Sequence, residues 1–131
     1  MRNTAISMFM LAFFSFATEA ATNITIDPKS NCLSTPFTDT LTGTPVKFTL
    51  DQGRYVFSLV SNTMNCMGAS NSCIIDSVML QGGFKNARWG VSVTSTPTVV
   101  DTTTSPFVAY IVDDNCNDNA GQATLLIQKA E

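Results

Sequence analysis

V-K-F-T-L-D-Q-G-R-Y-V-F-S-L, from Val46 to Leu59, decides the fold class. Val46, Phe48 and Leu50 alternate with Lys47 and Thr49, and after the turn D-Q-G-R the apolar positions Tyr55, Phe57 and Leu59 alternate in turn. Period two is the signature of a strand with one face against a core. The same pattern recurs outward from this segment. Trp89, Val91 and Val93 alternate with Gly90, Ser92 and Thr94, and Ala123, Leu125 and Ile127 form a closing strand. Trp89 shares the phase of Val91 and Val93, which predicts a core side chain rather than a ring displayed to solvent. Cys73–Leu80 is a further candidate strand with one carboxylate, Asp76, set among apolar residues. Phe107–Val112, F-V-A-Y-I-V, is almost wholly apolar and predicts a central strand buried on both faces. Asn23–Asp27 predicts one edge strand.

Turn signals separate these runs: D-Q-G at 51–53, Q-G-G at 81–83, S-T-P at 95–97, S-P at 105–106 and N-A-G at 119–121. Seven or eight short strands at that spacing predict an all-β, antiparallel two-sheet sandwich, jelly-roll or similar. No internal repeat and no second domain is visible.

The N-terminus reads as an export signal. Arg2 precedes the apolar run Ile6–Ala17, and small residues follow at Thr18, Ala20 and Ala21. A run of about a dozen apolar residues is too short to span a bilayer. Residues 1–20 are therefore expected to be a secretory signal peptide, leaving a single domain over 21–131 in a secreted or periplasmic protein. A domain of that size closes only a modest core, so staples matter. Four cysteines remain, Cys32, Cys66, Cys73 and Cys116, and an even number in an exported chain predicts two disulfides. Cys66 and Cys73 bracket the turn-rich M-G-A-S-N-S and most simply pair together, which leaves Cys32 to tether the N-terminal arm to Cys116.

Composition excludes several activities. The net charge is −3 with no basic run, which argues against nucleic acid and anionic lipid as partners. Histidine is absent, and with it the usual general base of serine and cysteine hydrolases. No pair of placed carboxylates and no G-x-S-x-G is present, so the chain is not read as an enzyme.

One loop carries unusual chemistry. Between the last two strands stands V-D-D-N-C-N-D-N-A-G, Val112–Gly121, with Asp113, Asp114 and Asp118 beside Asn115, Asn117 and Asn119. Calcium takes six to eight hard oxygen ligands, and three neighbouring carboxylates repel one another unless a cation joins them. The loop does not follow the EF-hand pattern. The alternative from the same residues is a solvated turn that uses Asn and Asp for their tolerance of tight backbone. Asn71, in the stapled hexapeptide, is a further polar candidate for lining a pocket.

The segment A-Y-I-V-D-D-N-C-N-D-N-A-G-Q-A-T-L-L-I, Ala109–Ile127, resembles the end of the small bacterial calcium-dependent galactose-binding lectins. Asp113 or Asp114 falls where that family has an Asp, Asp118 and Asn119 where it has an Asn pair, and Gly121 where it has a glycine. The likeness extends weakly upstream through S-C-I-I-D-S-V-M-L-Q-G-G and through V-K-F-T-L-D-Q-G-R-Y, which occupies the place of the family's early hairpin. The loop is about two residues shorter than the family's and holds a cysteine. The resemblance implies a jelly-roll-like sandwich with Ca2+ held by Asp113, Asp114, Asp118 and Asn119. Asn115 and Asn117 would contribute amide or backbone oxygens, and two vicinal hydroxyls of a galactose-type or other glycan would complete the coordination. A single such site binds modestly, so assembly into homo-oligomers would raise avidity. The runner-up from a different class is an exported, non-catalytic interaction or structural module, such as an adhesin subunit or inhibitor.

Overall fold

The computed structural model describes residues 20–34, 43–68 and 72–130. The expected signal peptide (apart from Ala20) and Asn71 lie outside the described residues. Within them the chain forms nine strands: β1 (Thr22–Ile26), β2 (Cys32–Ser34), β3 (Val46–Leu50), β4 (Gly53–Val60), β5 (Val78–Phe84), β6 (Ala87–Val93), β7 (Thr98–Thr102), β8 (Ser105–Asp113) and β9 (Ala123–Ala130). One sheet has the order β1-β9-β4-β7, and the other has β2-β8-β5-β6 with β3 also on β8. The pairings are antiparallel except for β2, which runs parallel to the end of β8 from Ile111 to Asp113. The all-β sandwich expected from the alternation is the observed architecture.

The segment that decided the fold class is wired differently from a hairpin. β3 pairs with β8, whereas β4 lies between β9 and β7 in the opposite sheet. The turn at 51–53 is thus a corner that carries the chain from one sheet to the other. Alternation shows which face is buried but not which strand lies alongside. D-Q-G-R also lacks the two-residue Asn-Gly or Asp-Gly loop that ties a tight hairpin.

The core sits between the sheets. Phe57, Leu59, Leu125 and Ile127 point in from one side, and Val78, Leu80, Val93, Phe107 and Ala109 from the other, all nearly inaccessible to solvent. Phe107 joins the layers. It stacks on Phe48 at 5.3 Å between ring centroids, meets Trp89 edge-on at 5.6 Å and lies 6.0 Å from Phe57.

Three local expectations need correction. Q-G-G at 81–83 is not a turn but the interior of β5, and the chain reverses after it at Lys85 and Asn86. The reason is close approach: a Cβ on Gly82 would overlap the Trp89 ring, so glycine is what lets the indole cross the sheet. Phe107–Val112 is central by hydrogen bonding but buried on one face only. Phe107, Ala109 and Ile111 are buried while Val112 is 50% exposed. The strand predicted from Cys73 begins only at Val78, and Asp76 is exposed in the loop before it.

Candidate binding end

Three connections meet at one end of the sandwich: the β1–β2 turn, the β4–β5 loop (61–77) and the β8–β9 loop (114–122). Both disulfides are here. Cys32–Cys116 joins β2 to the last loop with Cα atoms 5.7 Å apart, and Cys66–Cys73 closes the β4–β5 loop at 5.3 Å. These are the pairings expected from the spacing.

The β1–β2 turn is built by Asp27. Its Oδ1 accepts from the backbone N–H of Lys29 at 2.8 Å and of Ser30 at 3.2 Å, and the Asp27 N–H donates to Asn31 Oδ1 at 2.8 Å. The Lys29 N–H chiefly holds the Asp27 carboxyl below the ordinary carboxylate value, with partial desolvation opposing it. The turn delivers Cys32, fully buried, to the core.

In the β8–β9 loop the expected ligands are engaged with one another and with nearby backbone. Asp113 Oδ1 accepts from the N–H of Asp114 at 2.7 Å and of Asn115 at 3.4 Å. Asn115 caps the 3-10 turn Cys116–Asp118 by accepting from the Asn117 N–H at 3.3 Å, and its Nδ2 donates to Asp118 Oδ2 at 2.9 Å. Asp114, Asn117 and Asp118 are exposed, and Asp113 is half-buried. Asn119 turns the other way. It is 4% exposed, and its Nδ2 donates to Pro28 O at 2.8 Å and lies 3.6 Å from Cys32 Sγ. The Pro28 carbonyl fixes the amide orientation, because the flipped amide would set oxygen against oxygen. Asn119 Oδ1 is buried with no partner among the described residues. Among those residues no three acidic or cysteine side chains come together in a way that could hold a metal ion.

The two long loops dock by backbone pairing. Asn65 and Ala120 exchange N–H···O bonds of 2.9 and 3.0 Å, the Gly68 N–H donates to Asp118 O at 2.6 Å, and the Thr63 N–H donates to Gln122 O at 2.8 Å. Gly121, at φ +84°, makes the seam close, since a Cβ there would overlap the Thr63 carbonyl. Asn62 ties the start of the loop to its far side: its Nδ2 donates to Ile75 O at 2.8 Å, and its Oδ1 accepts from the Met64 N–H at 2.9 Å.

Reading the sequence did not identify Asn62 or Thr63 as members of this end, and it offered Asn65 only as one of the polar residues that could line a pocket at the stapled loop. Their partners lie more than fifty positions away or across the staple, and no local period marks them. The one available signal was the pair Cys66 and Cys73, which announces a loop held in shape. Ile74 is 70% exposed beside it and Met67 59%.

No protein-family model, curated protein or solved structure was found to match the chain.

Proposed function

We propose that the protein is an exported, non-catalytic recognition module that presents its doubly stapled end to a partner. The observation that carries this reading is the joining of the described residues of three connections by two disulfides and backbone hydrogen bonds, with large apolar side chains left in water. Two disulfides, the Asn65–Ala120 exchange and the Asn62 clamp fix the backbone. Ile74 stands 70% exposed on that frame. Loops already ordered before binding lose little conformational freedom on binding, so modest contact area yields useful affinity. Disulfides and the leader-like N-terminus fit an oxidising, extracytoplasmic setting.

The test uses labelled mature protein applied to the producing cells and their secreted material. Ile74→Asp is expected to abolish retention, while Val99→Asp, on a 59% exposed residue of β7, retains it. Equal retention by the two variants, or the reverse order, would count against recognition at this end.

A second reading, calcium-dependent carbohydrate binding, is favoured by one specific observation. Asn119 Oδ1, an oxygen of a residue expected to bind the ion, is buried without a partner, and such an atom is costly to leave unsatisfied. Asp113 or Asp114, Asp118 and Asn119 would hold Ca2+ once the Asn119 side chain turned from Pro28 toward the loop's carboxylates, and the ion would offset their charge and leave positions open to sugar hydroxyls. An ion present at 100 times its Kd stabilises a fold by about 2.7 kcal/mol, on the order of 10 °C in Tm for a domain this size. A chelator is therefore expected to lower the melting midpoint by that amount under the second reading and to leave it unmoved under the first. A glycan array probed with and without calcium then addresses the sugar separately.

A further inference from the structure

A groove of about 300 Å3 runs beside the stapled loop, between the segment Ile74–Met79 and the end of β8. Its walls differ in chemistry. Ile74, Ile75, Met79 and Val112 give it apolar shoulders, with Ile74 70% and Val112 50% exposed. Asp76 and Asp113 add carboxylates to the same lining, and none of the lining residues carries a positive charge. Asp76 is exposed and makes no hydrogen bond or ion pair among the described residues. Asp113 uses Oδ1 on its own loop's N–H groups.

Both walls are held in place. The Ile75 N–H donates to Met64 O at 3.2 Å while Ile75 O accepts from Asn62 Nδ2, and the loop is closed by Cys66–Cys73. Across the groove, Asp113 is paired with Ser34 of β2, and Ser34 Oγ donates to Asp114 O at 3.1 Å.

We propose that this groove binds a basic, apolar peptide segment of a partner protein, with a Lys or Arg side chain drawn to Asp76 and Asp113 and a neighbouring apolar side chain against Ile74 and Val112. The inference rests on the reading of this end as a recognition surface and names the chemistry of the partner. Charge complementarity selects the class. Two carboxylates with no cation among the described residues that line the groove favour a positive guest, and the net charge of −3 attracts one from a distance. A bare cation would leave the exposed Ile74 and Val112 in water, whereas a peptide carrying both kinds of side chain covers the shoulders and pairs the acids. The volume is at the lower end for binding sites, enough for one or two side chains.

The experiment uses an array of immobilised hexapeptides in three sets: alternating Leu and Arg, alternating Leu and Glu, and alternating Ser and Arg. The mature protein is expected to bind the Leu–Arg set over the other two, and less so as salt rises. Asp76→Lys should weaken that binding about tenfold, since it replaces attraction by repulsion at a rim position. Ile74→Ser should weaken it as well, and Val99→Ser should not. Binding of the Leu–Arg set that Asp76→Lys leaves unchanged overturns the groove assignment. Equal binding of the Leu–Arg and Leu–Glu sets, or of neither, overturns it too. The cell-retention comparison of Ile74→Asp with Val99→Asp separates the two ideas. If it still singles out Ile74, recognition at this end stands and only the peptide chemistry falls. If it does not, both fall.

Discussion

Removing Cys32 and Cys116 together, by alanine at both positions, is expected to cost about 4–5 kcal/mol of folding stability, the larger effect of the two disulfides. The bridge joins residues 84 positions apart, so its loss releases most of the described chain in the unfolded state, where the entropy gain grows with the logarithm of the loop. The same relation gives about 2.5 kcal/mol for Cys66–Cys73, whose separation is only 7. Packing widens the gap. Cys32 is fully buried and Cys116 is 7% exposed, so alanine leaves unfilled space and takes from Asn119 Nδ2 a sulfur contact at 3.6 Å. Against the 5–15 kcal/mol typical of a domain, the first loss brings the fold close to its limit while the second leaves it folded. Urea unfolding of the two double variants beside the wild type measures the difference. An equal or larger loss from the short loop would mean that the N-terminal arm adds little to the sandwich.

How far the chain could be read before its structure follows from where each signal resides. Period two in Val46–Leu50, Tyr55–Leu59 and Trp89–Val93 is a property of the strand itself, so the buried faces and the inward turn of Trp89 were legible. Pairing is not local. Nothing in D-Q-G-R says that β3 and β4 part company into opposite sheets, because both need only the same core between them. Two strands, β2 and β7, went unrecognised. β2 has three residues, too few for a pattern, and T-V-V-D-T in β7 shows only one buried apolar residue, Val100. Gly82 looked like a turn residue because its reason, the Trp89 ring crossing above it, comes from seven positions along the chain. The acidic loop was visible as composition, and its position at a shared end was not. Asn119 is an oxygen donor in the sequence and a buried anchor to Pro28 in the fold, and the β1–β2 turn that makes it so is about ninety residues distant.

The second large effect lies in the core. Phe107→Ala is expected to cost about 3–5 kcal/mol, the range for removing a fully buried aromatic ring. The upper part of that range is expected here because Phe107 contacts three other rings, Phe48 and Trp89 in its own sheet and Phe57 in the opposite one. The space it leaves cannot easily close. Gly82 has no side chain to move in, and Trp89 is held against it by strand pairing of Gly82 with Trp89 itself. Phe48→Ala should cost less, since Phe48 is half-buried on the edge strand β3 and already faces some solvent. Trp89 is the only tryptophan, so its emission reports on the cluster alone. The signal is expected to change with Phe107→Ala under conditions where the fold persists and to stay nearly constant with Cys66 and Cys73 replaced by alanine. Peptide binding at the groove is expected to survive in the folded fraction, because none of the four rings lines the groove. A loss below about 1 kcal/mol, as for a surface position, would show that the two sheets are joined by something other than this aromatic contact.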